Sequence, residues 1–281
     1  MKRFGNIIIA SFALTMMGCA VADDVALQTN NTKLTIELTS NRTVLGDAVD
    51  GNRTVCWSNG DRIAANGITS SEAKINAEKV GVATFEFAEE LTYPCHVLYP
   101  ATFYKDATKI TLPSVQNAAI GSFATNTLPM ATSITDMEEK IQLHHLAGVI
   151  QLQLKAERGV ARNNKIYRVD VWGNDKEQMS GLFDIDYNSV TLSSASTDYS
   201  SRKVVVRAMG ELSADEIIDV FVVVPAQEYK NGFTVRVINE DGNFMDKVKT
   251  SAVSIAKGEI LKMPVFEYIP TGTIMDIEIR Q

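Results

Sequence analysis

Cysteine, histidine and tryptophan are scarce: three, three and two in 281 residues. The cysteines form no CxxC pair and no Cys/His cluster, so their spacing points to no metal site. His144 and His145 are neighbours, and in a strand their rings would face opposite ways, poor geometry for one metal. His96 has no Glu or His at ligand spacing. Nucleophile-elbow, HExxH, dinucleotide, P-loop and EF-hand patterns are all missing. The acidic pairs Glu89-Glu90 and Glu138-Glu139 read as solvated surface rather than as general acid and base. No run of five basic residues occurs, and 27 Lys+Arg against 34 Asp+Glu leave a net charge of −7. That balance argues against nucleic acid or a bare anionic membrane as partner. The expectation is a protein that is not an enzyme, with no cofactor and no metal.

Long apolar runs are also missing. A membrane-spanning helix needs about 20 apolar residues, and the longest run in the body, residues 220–224, reads as a strand. The amino terminus is different. Lys2 and Arg3 precede an apolar stretch from Ile7 to Leu14, then Met16-Met17-Gly18-Cys19. This reads as an export signal covering residues 1–18. A small residue followed by Cys resembles a bacterial lipobox, in which the Cys19 thiol takes a diacylglyceryl group and the new N-terminus a fatty acyl chain such as palmitate. The alternative is a plain cleaved signal with an incidental Cys. Acyl chains at about 0.8 kcal/mol per buried CH₂ would hold the protein on a membrane almost permanently, with residues 19–32 as tether. Asn30, Asn41 and Asn52 begin N-glycosylation sequons, which a bacterial lipobox makes moot.

With Cys19 lipidated, Cys56 and Cys95 remain, in two segments read as strands (53–57 and 95–99). An exported protein permits a disulfide between them; two buried thiols are the alternative.

What is abundant is period-2 alternation, the mark of strands with one buried face. In Lys33-Leu34-Thr35-Ile36-Glu37-Leu38-Thr39 the residues Leu34, Ile36 and Leu38 share a face. The same reading covers 83–87, 108–112, 149–154, 167–172, 182–186, 203–208, 217–224, 233–238 and 259–268. Asp50-Gly51, Asn59-Gly60, Asn66-Gly67, Asn231-Gly232 and Asp241-Gly242 supply turns that tolerate positive φ. Only 135–142 has a weak helical look. The pattern predicts an all-β chain of antiparallel sandwiches. At roughly 100–200 residues per domain, two are expected, 33–160 and 161–281, parted at the polar stretch 157–164. Trp57 and Trp172 could stack on sugar rings, but each sits in an alternating strand and reads more simply as packing.

Several segments in order resemble the fimbrillin-like subunits of type V pili from gut and oral anaerobes. Ser40-Asn41-Arg42-Thr43 is followed by Val55-Cys56-Trp57-Ser58-Asn59-Gly60-Asp61-Arg62-Ile63, matching an opening of Arg-Thr … Val-x-Trp-x-x-Gly-Asp-x-Ile. Tyr99-Pro100-Ala101, Thr111-Leu112-Pro113-Ser114-Val115-Gln116 and Leu128-Pro129-Met130-Ala131 follow. Then come 146–154, Ser180-Gly181-Leu182-Phe183-Asp184-Ile185, Val224-Pro225-Ala226 and Asn231-Gly232-Phe233-Thr234-Val235.

The resemblance implies two transthyretin-like antiparallel β-sandwich domains behind a lipoprotein signal peptide, exported to the outer membrane. It implies a structural, stalk-like subunit that polymerises with other pilin subunits, homo- or heteromeric, by donor-strand exchange and supports adhesion. A trypsin-like protease would cut behind an N-terminal arginine. Arg42 stands just past the strand 33–39, and Arg53 is a second candidate; otherwise Arg42 is an ordinary loop residue. The donor would be 271–281, where Met275, Ile277 and Ile279 share one face; otherwise this is the last strand of its own sandwich. The competing reading is a surface lipoprotein of the same fold that stays single and binds a glycan or host protein.

Overall fold

The computed structural model describes residues 32–38, 56–119, 121–137 and 141–274. These residues form 25 strands and two single-turn 3₁₀ segments, with no α-helix among them. The all-β expectation holds.

Two cores organise the strands. In the first, a four-stranded sheet runs in the order Ile141–Gln142, Lys33–Glu37, Val82–Glu86, Lys74–Ile75. It shares an apolar cluster with a five-stranded sheet ordered His144–His145, Met130–Ile134, Cys95–Tyr99, Ala64–Ala65, Ile68–Thr69. Period-2 geometry explains how Cys95–Tyr99 serves two layers. Cys95, Val97 and Tyr99 enter this first cluster, while Leu98 points the other way, into a satellite cluster with Ile110 and Phe183. That satellite is roofed by a third sheet, Thr191–Ser194, Gly181–Asp186, Lys109–Leu112, Tyr104–Asp106. The Asn66-Gly67 turn joins Ala64–Ala65 to Ile68–Thr69 with φ of 48° and 86°, the two positive values that a two-residue hairpin needs.

The second core lies between a three-stranded sheet, Ile218–Pro225, Ala147–Ala156, Ile260–Tyr268, and a seven-stranded one. The latter runs Ser122–Phe123, Val115–Ala119, Lys203–Glu211, Lys165–Gly173, Phe233–Asn239, Asn243–Val248, Gly272–Thr273. Leu152, Leu154 and Ala156 alternate inward with half-buried Gln151, Gln153 and Lys155.

Three features differ from the sequence reading. Three strand pairs are parallel: Lys33–Glu37 with Ile141–Gln142, Ala147–Ala156 with Ile260–Tyr268, and Lys203–Glu211 with Val115–Ala119. Parallel neighbours need long crossovers, which local alternation does not encode. Residues 157–164 do not part the two cores, because Ala147–Ala156 on one side and Lys165–Gly173 on the other both line the second. The stretch is polar because it is an exposed connection between two sheets, with Arg162 paired to Glu157 and Arg158 to Asp215. Finally, 135–142 is not read as helix: Ile141–Gln142 is a strand, and residues 138–140 lie outside the described set.

Gln116 does work normally done by a strand. Its buried side-chain amide donates to the Val223 carbonyl at 2.7 Å and accepts from the Val223 N–H at 3.0 Å. This closes the outer side of Ile218–Pro225 at one residue. Gln116→Ala strands both Val223 groups, and a buried unpaired group costs about 1–3 kcal/mol. Urea denaturation should show a loss of about 2–6 kcal/mol for the two groups together, with an unchanged slope.

Candidate functional site: the seat of the first strand

Lys33–Glu37 is not an edge. It pairs antiparallel with Val82–Glu86 over five registered residues, Lys33↔Glu86 to Glu37↔Val82. On its other side it meets Ile141 and Gln142 through Ile36 and Glu37. Leu38 continues the ladder by donating its N–H to the Gly81 carbonyl at 2.9 Å. Leu34, Ile36 and Leu38 are 1%, 0% and 9% exposed. They share their cluster with Phe85, Phe87, Ile141, Leu143 and Trp57. Each such side chain contributes about 1.5–3 kcal/mol on burial. On the outer face Thr35 and Thr84 hydroxyls meet at 3.1 Å. Lys74 and Lys33 reach the Glu86 carboxylate at 2.7 and 3.0 Å and hold it below the usual carboxylate range. These exposed pairs contribute little; the apolar face does the holding.

Removing this strand would open a slot between Val82–Glu86 and Ile141–Gln142, with unpaired N–H and C=O groups on its sides and the apolar cluster as floor. Such a slot is a template for a strand with apolar residues at every second position.

The chain leaves the described residues after Leu38 and returns at Cys56. Both ends are fixed to neighbouring carbonyls, Leu38 N–H to Gly81 and Trp57 N–H to Val80 at 3.0 Å. The return is locked by Asp61, 2% exposed, which accepts from the Tyr99 hydroxyl at 2.9 Å and the Ser58 N–H at 2.7 Å. Burial pushes the Asp61 carboxyl up, while the Ser58 and Tyr99 bonds pull it down. Trp57 packs edge-on against Phe85 and Tyr99, at 4.9 and 5.2 Å between ring centroids. It is core, as the packing reading of its strand pattern implied, though residues 56 and 57 are not in a strand. The Trp-x-x-Gly-Asp segment is therefore the clasp beside the seat, a role its residue types alone did not disclose.

Cys19, Arg42, Arg53, Met275, Ile277 and Ile279 lie outside the described residues. Cys56 and Cys95 are not joined by a disulfide: Cys95 is buried in the first core and Cys56 is exposed. The reason is local. Trp57 turns inward to the cluster, so its extended-chain neighbour faces outward. Burial pushes the Cys95 thiol up to about 11. Thr271 and Ile274 donate their N–H groups to the carbonyls of Phe244 and Gly242, so 271–274 belongs to the edge of its own seven-stranded sheet.

The histidines do not converge. His96 stacks on Tyr187 at 4.5 Å and its Nδ1 lies 3.1 Å from Ser133 Oγ. His144 is exposed, and His145 is half-buried. Among the described residues no three His, Cys, Asp or Glu side chains are placed to hold a metal ion, and no helix is long and apolar enough to cross a membrane.

No family model matches the sequence, and no curated protein matches it. Among solved structures the chain is similar to a candidate cell adhesion protein from Bacteroides ovatus, at 14% identity over 79% of this chain and 89% of that one, TM-score 0.46. A candidate cell adhesion protein from Bacteroides uniformis is similar at 12% identity, over 84% and 94% of the two chains, TM-score 0.46. The tip fimbrial protein Mfa3 from Porphyromonas gingivalis, with a C-terminal truncation, is similar at 9% identity over 86% and 97%, TM-score 0.31.

Two outcomes are expected. Tyr99→Phe should cost about 1–3 kcal/mol, since it leaves one Asp61 oxygen buried without its donor. The loss should shrink when Asp61 is already Asn, which a double-mutant cycle reads directly. Burial, then the neighbouring His144, pushes His145 down to about 4. An unfolded histidine titrates near 6.5, so between these values the unfolded chain binds the extra proton. His145 therefore supports full stability above pH ~6.5 and loses it as pH falls toward 4. The stability difference between the natural chain and His145→Gln should change in that window and be flat above it.

Proposed function

We propose that this protein is a structural subunit of a bacterial surface pilus, built to exchange its first strand for one from a neighbouring copy or a related pilin. The carrying observation is the seat of Lys33–Glu37: a slot flanked on both sides by strands and floored by an apolar cluster that three alternate side chains fill. In this reading residues 1–18 direct export, Cys19 carries the lipid, and the protein reaches the outer membrane surface. Cleavage after Arg42, four residues beyond Leu38, then frees the strand from the chain that returns at Cys56. Arg53 is the alternative cut in the same segment.

The donor is the carboxyl end. Because 271–274 is bonded within its own sheet, the donor begins after Ile274. Met275, Ile277 and Ile279 repeat the alternate spacing of Leu34, Ile36 and Leu38, and seven residues at about 3.3 Å each reach roughly 23 Å. Exchanging one such strand for another leaves the number of paired backbone groups nearly unchanged, so the outcome turns on fit and on loss of the first strand once it is cut.

Mild trypsin treatment of the purified chain, followed by electron microscopy and mass spectrometry, tests this. Filaments and a released fragment ending at Arg42 are expected; Arg42→Gln should shift or abolish the cut. Deleting 275–281 should leave a folded monomer that is cut but does not polymerise. Filaments from that deletion, or cut protein remaining as single particles with its first strand retained, would overturn the proposal. Cys19→Ala should move the protein out of membrane fractions, and unchanged retention would remove the anchor.

A further inference from the structure

The outer face of the seven-stranded sheet, on the second core, carries a hollow of about 590 Å³, within the usual range for small-molecule sites. Alternation builds it: Val169 and Val171 point into the core, so Arg168, Asp170 and Trp172 point out. In register across the sheet, Lys203 lies opposite Trp172 and Arg236 opposite Asp170. Lys176 and Arg202 complete the wall, which makes five cations against one lining carboxylate in a chain of net charge −7.

The charged groups are held in place. Arg236 grips Asp246 through two bonds of 2.8 Å. Its guanidinium lies over the Phe244 ring at 4.1 Å and the Trp172 ring at 5.5 Å. Asp170 is 4% exposed; its Oδ2 takes Arg168 at 3.1 Å and lies 3.6 Å from Lys203. Its other oxygen, Oδ1, is buried with no hydrogen-bond partner. At the rim stands Tyr199, 83% exposed, with the Arg202 guanidinium 6.0 Å from its ring. A tyrosine so exposed contributes nothing to the core.

We propose that this hollow binds an acidic saccharide. At the rim the Arg202 guanidinium takes a carboxylate or sulfate, with the Lys176 and Lys203 ammonium groups on the same wall, and the exposed Tyr199 ring takes the C–H face of the sugar, beside Trp172 on the floor. The exposed Tyr199 ring separates a saccharide from inorganic phosphate, which has no C–H face to lay against it. The acidic remainder of the chain disfavours a long polyanion such as nucleic acid. The site is independent of strand exchange, since no residue of the first-strand seat enters it.

Titration of the full chain with a hyaluronan tetrasaccharide, a chondroitin sulfate tetrasaccharide and maltotetraose tests this by calorimetry and tryptophan fluorescence. Trp57 is buried in the first core, so a ligand-dependent emission change reports Trp172. One or both acidic sugars should bind, more weakly as salt rises, and maltotetraose should not; which acidic sugar binds separates carboxylate from sulfate recognition. Tyr199→Ala and Arg202→Gln, both at the rim, should each weaken binding about tenfold, and Tyr199→Phe should keep most of it. Binding of neither acidic sugar, equal binding of maltotetraose, or unchanged affinity in both weakened variants would overturn the assignment.

Discussion

The amino-terminal half depends on three apolar side chains at positions 34, 36 and 38, set on one face of a ladder that has a strand on each side. Their burial closes the first core, and the backbone around them pairs over five residues on one flank and two on the other. Neither requirement names the sequence of the strand. Any segment with an apolar residue at every second position and a free backbone meets both, so the seat specifies alternation rather than one residue order. The Asp61–Tyr99–Ser58 clasp holds the chain's return beside the seat, so the connection between strand and body can be altered without loosening the floor.

Much of the strand content was legible locally. The segments 83–87, 149–154, 182–186, 203–208 and 233–238 fall within or one residue from observed strands, because alternate burial writes itself directly into residue order. Asn66-Gly67, Asn231-Gly232 and Asp241-Gly242 mark turns for the equally local reason that Gly67, Gly232 and Gly242 hold positive φ. What alternation does not carry is partnership. Nothing in residues 109–112 announces pairing with 181–184, nor in 115–117 with 205–207. The break expected at 157–164 failed for the same reason: polarity marks exposure, and an exposed connection inside one core looks like a linker between two.

The site was legible to a different degree. The first strand and its apolar face were evident from residues 33–39, whereas its central place in the sheet was not, because Ile141–Gln142 is too short to stand out. Trp172 was read as packing, and it does touch the second core; its other side faces Arg236 and Asp170, a neighbourhood that exists only once strands distant in the chain lie side by side.

The amide of Gln116 has a consequence for solubility. An unpaired strand margin is a template for any extended chain that meets it. By filling the hydrogen-bonding groups of Val223 with a side chain instead of a backbone, the second core plugs the outer margin of Ile218–Pro225 at a single point. A stray ribbon would have to dislodge a buried plug before it could zip along Ile218–Pro225, so one amide guards a margin that would otherwise need a whole strand to cover it.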